Sequence, residues 1–178
     1  MDEGGEQGDY QVRFEWGVAG LARLANCDVV VIVAVLDRAG DGEAERAVPE
    51  TAAEAGAPLV ITSSVQDAAA VAERILREQA WRSTRTSISI IAVGDPPHGR
   101  ERDADAALRF AVEDLLGAGA VVHELGALGI DHTSPAAAAA GEAFGALRGG
   151  LRHLISATPA GRALVAAGRG HEVITATS

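Results

Sequence analysis

The sequence predicts an α/β protein: three layers, a mostly parallel sheet covered by helices, and a helical C-terminal part. Three observations carry this. Short β-branched runs recur at 29–36, 58–61 and 87–93, each ended by Gly, Pro or polar residues. Between them lie segments with apolar residues at helical spacing, such as 65–79 and the stripe from Leu108 to Leu116. Strand and helix alternate four times before only helical signals remain, and such alternation builds parallel sheets.

The chain of 178 residues fits one domain with a full-sized core. Residues 1–9 are acidic and Gly-rich and are expected to form a disordered tail, leaving 10–178 as a single α/β domain. Aromatic residues are only 3% of the chain, so the core must be built from Ala, Val, Leu and Ile. The net charge of −10 argues against nucleic acid or an anionic membrane as the main partner. The chain's one cysteine, Cys27, excludes an internal disulfide and reads as a small buried hydrophobe. The acidic N-terminus lacks the apolar stretch of a signal peptide, and the run 29–36 is too short to span a bilayer. A cytoplasmic protein is expected.

Residues 11–17 alternate polar and apolar, as in a half-exposed strand. A short helix is expected over 21–25, then a central strand over 29–36. Pro49 suits the opening turn of a helix reaching about 55. After the strand at 58–61, Ser64 and Asp67 match a capping pattern for the helix 65–79. The strand at 87–93 stops at Gly94-Asp95-Pro96-Pro97, because proline cannot donate to a ladder. Asp103 is a candidate N-cap for the next helix, with Asp105 in its first turn. Ser134-Pro135 starts an Ala-rich helix to about 147, and Thr158-Pro159 starts another that ends at Gly168 or Gly170. The small-residue face at 136–140, with Phe144 and Leu147, could pack on the same chain's sheet or in a homo-oligomer.

Candidate chemistry gathers at the predicted carboxyl edge of the sheet, where open α/β sheets bind ligands. Asp95, Asp103, Asp105, Glu113 and Asp114 form the densest carboxylate set. Oxygen ligands of this kind suit a hard cation such as Mg²⁺, with Asp95 and Asp114 the leading pair, although helix capping and solvation would also explain them. Thr62, Ser63 and Ser64 at a strand end and helix start form a candidate anion site, against plain capping. Arg38, Arg100 and Arg102 lie on loops of the same edge and could clamp a phosphate or sulfonate, so a small anionic molecule is the expected partner. His98 belongs to that edge, and the other histidines look structural. No nucleophile elbow, P-loop, GxGxxG or zinc spacing is present.

The segments VRFEWG at 12–17, QDAAAVAERIL at 66–76, GRALVAAG at 161–168 and above all LRFAVEDLLGAGAVVHEL at 108–125 resemble the 2-phosphosulfolactate phosphatase family, its actinobacterial branch most closely. The resemblance implies an α/β fold and Mg²⁺-dependent hydrolysis of a phosphate ester on a small sulfonated acid. It places Asp114, with Glu113 beside it, at the family's helix acid, and Asp95 at an acid after a strand end. The family's strand aspartate falls on Ala34, with Asp37 three residues along. Its Asn-Ser-Pro and Asn-Gly-Thr type loops are missing, with Thr62–Ser64 the remnant of the second. The resemblance therefore implies a shortened, diverged hydrolase using a divalent cation on carboxylates, or a catalytically inactive relative acting as a binding or partner subunit.

Overall fold

The computed structural model describes residues 5–36, 43–54, 56–95 and 108–177, with backbone only for 43–47 and 54. Four strands form one sheet: β1 (Val12–Trp16), β2 (Val29–Val33), β3 (Leu59–Ser63) and β4 (Ile88–Ala92). Their order is β1-β4-β2-β3 and every pairing is parallel. Val31 of β2 stands level with Ile61 of β3 and Ile90 of β4. β2 and β4 are buried along their whole length, as expected for central strands covered on both faces.

The helices are α1 (Gly17–Arg23), α2 (Glu43–Glu54), α3 (Ala68–Arg82), α4 (Val112–Ala127) and α5 (Pro135–Leu147). After a 3-10 turn come α6 (Leu151–Ala157), α7 (Pro159–Ala166) and α8 (Gly170–Ala176). The period of two along a strand divides the core. Val30, Ile32, Ile91 and Val93 meet Leu24, Val48 and Ala52 on the α1–α2 side. Val29, Val31, Val33, Ile88 and Ile90 meet Val71 and Ile75 of α3, Val121 of α4 and Phe144 of α5 on the other. Full burial of each such Val or Ile contributes about 1.5–3 kcal/mol. Crossovers toward β3 thus lie on one face and the return crossover on the other, as uniform handedness requires.

The Ala-rich face of α5 is covered by α4 of the same chain. A side chain at Gly119 would run into the carbonyl of Ala140, so the two backbones approach as closely as glycine allows. Ala137, Ala140 and Phe144 are buried in this contact, while Ala136 and Leu147 of the same stripe stay exposed.

Several boundaries differ from expectation for physical reasons. Residues 5–9, assigned to a disordered tail, are held against α1 and β1. Glu6 pairs with the chain at Arg23 and Ala25, and the Gln7 amide side chain accepts from Phe14 N–H (3.2 Å) and donates to Phe14 C=O (3.1 Å). Gln7 thereby closes part of the open edge of β1. Pro49 lies inside α2 and does not open it. The helix expected near Asp103 begins at Val112, because residue 109 pairs back onto residue 95 in an antiparallel bridge. α3 starts three residues late, after a turn at 65–67, and α8 had not been expected.

At the amino edge, polar side chains lock the loops. The Asp28 carboxylate accepts from Ser87 N–H (2.8 Å), Ser87 O–H (2.7 Å) and the Arg82 guanidinium (2.9 Å). Burial pushes the Asp28 carboxyl up, but the two Ser87 bonds and the Arg82 and Arg13 charges outweigh it and hold it below the usual carboxylate range.

Candidate functional site

At the carboxyl edge, β2 hands its chain to α2 on one face and β4 hands its chain to α4 on the other. A crevice must open between two strands that part in this way. The last ladder bond runs from Val93 N–H to Val33 C=O (2.9 Å). Beyond it the carboxylate of Asp114, in the first turn of α4, enters from the helix side. Its Oδ1 accepts from Val35 N–H (3.0 Å) and its Oδ2 from Gly94 N–H (2.9 Å). Asp114 is 0% exposed. Both amides lie where the strands have left the ladder, and buried N–H groups need an acceptor.

Gly94 has φ +75°, and a side chain there would strike Leu108. Leu108 is therefore seated over the end of β4, and the next residue, Arg109, makes the return pairing. Arg109 N–H donates to Asp95 C=O (2.9 Å), Asp95 N–H donates to Arg109 C=O (3.0 Å), and Arg109 Nε lies 3.3 Å from Asp95 Oδ2. Glu113 is buried, and with Asp95, Phe110 and Pro159 it lines a cavity of about 200 Å³. Asp95 and Glu113 are thus brought together, while Asp114 points into the sheet.

A second crevice lies between β2 and β3. It is a cavity of about 290 Å³ lined by Ile32, Ala34, Thr62, Ser63, Ser64 and Asp67. The three predicted hydroxyl residues are brought together here, at the strand end and just ahead of α3. Ser63 and Ser64 turn toward Asp67. Its Oδ1 accepts from Ser64 N–H (2.6 Å), Ser63 O–H (3.1 Å) and Ser64 O–H (3.2 Å). The spacing from Ser64 suggested a cap with Ser64 at its head, but the N-cap of α3 is Asp67, which makes no side-chain cap bond. Its carboxylate reaches back to the turn before the helix instead. That spacing gave no sign that Asp67 would also wall a cavity, since the wall is formed jointly with β2. Arg38, Arg100, Arg102, His98, Asp37, Asp103 and Asp105 lie outside the described residues.

Asp95 and Asp114 do not fit the role of a Mg²⁺ pair. Mg²⁺ demands near-octahedral oxygen ligands and keeps several waters. Each Asp114 oxygen is instead aimed at an amide within the protein, and Asp95 Oδ2 faces a guanidinium. Among the described residues, no three His, Cys, Asp or Glu side chains gather closely enough to hold a metal ion. Cys27 is remote from this edge, and burial pushes its thiol up, against a thiolate role. Among the described residues no helix is long and apolar enough to cross a membrane.

No family model and no curated protein matches the chain.

Proposed function

We propose that this protein is a diverged relative of the 2-phosphosulfolactate phosphatases that binds a small anionic molecule in the β2–β3 crevice and hydrolyses phosphate esters slowly or not at all. One observation carries the reading. Position 34, where the resemblance puts the family's strand aspartate, lies on the wall of a carboxyl-edge cavity next to Thr62–Ser64. The residue there is alanine, so the crevice keeps hydroxyl and amide donors but carries no acid at that position. A phosphatase must bind a dianion, activate water and stabilise charge on the transferring oxygens. Ser63, Ser64 and the start of α3 suit the first and third tasks, once an anion displaces Asp67. Among the described residues the carboxylate on this wall is that of Asp67, which Ser63 and Ser64 already engage.

The choice between a slow hydrolase and an inactive binding or partner subunit turns on Asp114. Its retention would suggest active chemistry if it had no other use. Its two bonds to Val35 and Gly94 supply such a use, which favours the binding role. Loss of one positioned electrostatic group costs about 100- to 1000-fold in rate. The purified protein, assayed with Mg²⁺ on phosphosulfolactate and a panel of phosphate esters, should therefore fall at least about 100-fold below the ordinary range of about 1–1000 s⁻¹. Turnover within that range would overturn the proposal.

A further inference from the structure

We infer that Asp114 is a positioning residue, an internal pin that fills the β2–β4 crevice and fixes the two strand ends, and that it is neither a metal ligand nor a base. This stands whether or not the chain binds phosphate esters. In a parallel ladder the next bond after Val93 N–H to Val33 C=O would join Val35 N–H to the β4 chain. The two chains are parting to opposite faces, so that acceptor is lost. One carboxylate at the start of α4 supplies acceptors to both strands at once, through different oxygens. Only a side chain with two acceptor oxygens on one carbon can do this. Asparagine would turn its NH₂ toward one of the two N–H donors.

The pin also accounts for the glycine at position 117. Gly117, one turn further along α4, sits against Val33 and Val35, and a side chain there would strike both. Helix α4 can therefore lie close enough to the β2 end for the short Asp114 side chain to reach it. Among the described residues, cavities at this edge lie beside Ala34, between β2 and β3, and beside Asp95 and Glu113.

The two roles of Asp114 make opposite forecasts for the metal-free protein. A metal-binding carboxylate without its ion is a buried charge kept for function, and Asp114→Asn would leave the unfolding midpoint unchanged or raise it while abolishing any Mg²⁺ response. A pin is needed by the fold itself, and Asp114→Asn should lower the midpoint by roughly 10 °C. If that variant does not fold, the wild-type protein decides by amide NMR. The Val35 and Gly94 amides should exchange as slowly as the neighbouring ladder amides, and their signals should not move on titration with Mg²⁺ alone at millimolar concentration. Unprotected Val35 and Gly94 amides, a shift of both signals with Mg²⁺, or a higher midpoint in Asp114→Asn would each overturn the inference.

Discussion

The two crevices on either side of β2 were formed by the same topology and have been treated differently. Between β2 and β4 stands Asp114, whose carboxylate takes one amide from each strand end. Between β2 and β3 the gap stays open, walled by Ala34, Thr62, Ser63, Ser64 and Asp67. A buried carboxylate in the first crevice serves the backbone of both strand ends. In the second, with alanine at position 34, there is room of about 290 Å³, close to the lower limit of ordinary ligand pockets, roughly 300 Å³. Acidic residues at a carboxyl edge therefore do not mark a site by their presence alone; what matters is which groups their oxygens face.

The largest difference should appear in stability. Asp114→Ala leaves two buried N–H donors without their acceptors and should cost about 3–5 kcal/mol. Ala34→Ser, on the wall of the open crevice, should stay within about 0.5 kcal/mol. Urea unfolding of both variants checks this, and equal costs would break the contrast between the two gaps. Next in size is a gain of chemistry. On the proposed relationship, Ala34→Asp places an acid where the resemblance puts one and should raise Mg²⁺-dependent release of phosphate from an ester by about 100-fold over the wild type. An unchanged rate in a folded Ala34→Asp protein would mean that the acid is not what the crevice lacks.

Much of the fold was legible because burial writes a period into the chain. The continuous run at β2 identified a central strand, as found. The alternation of β1 suggested a half-exposed strand, but Arg13 on its polar side is buried, its guanidinium donating to the carbonyls of Gly8, Tyr10, Ala25 and Asn26. Asp114 stood out in the sequence because it adjoins an apolar stripe. Its role was illegible, since it depends on β2 and β4 parting beneath it, 79 and 20 residues away along the chain. The start of α4 was misplaced for a similar reason: apolar spacing from Leu108 onward looks helical, but the Asp95–Arg109 pairing holds that stretch extended. Gln7 looked like part of a polar tail, and only the position of β1 at the sheet edge gives its amide group a task.

A smaller effect concerns the occupant of the open crevice. Asp67→Asn removes a negative charge from the Ser63–Ser64 donors and should tighten inorganic phosphate binding by about fivefold, read by calorimetry. Weaker binding would show that Asp67 helps to hold the ligand. The smallest effect serves as a control at the other edge of the sheet. The Asp28 carboxyl is held below its usual range in the folded protein, so its contribution to stability is present above the unfolded-state value and is lost as pH falls through the folded one. Asp28→Asn should flatten the acid limb of the stability curve and leave phosphate binding untouched. A change in binding would mean that the two edges are coupled.

The most direct measurement is a titration of the ¹⁵N-labelled wild-type protein with inorganic phosphate, followed amide by amide. The signals of Ala34, Thr62, Ser63, Ser64 and Asp67 should move together in a saturable way, while those of Val35 and Gly94, tied to Asp114, should stay nearly fixed. Saturable shifts centred on Gly94, Asp95 and Glu113, with the Thr62–Ser64 signals unmoved, would place the ligand in the crevice assigned to the pin and contradict the division between the two.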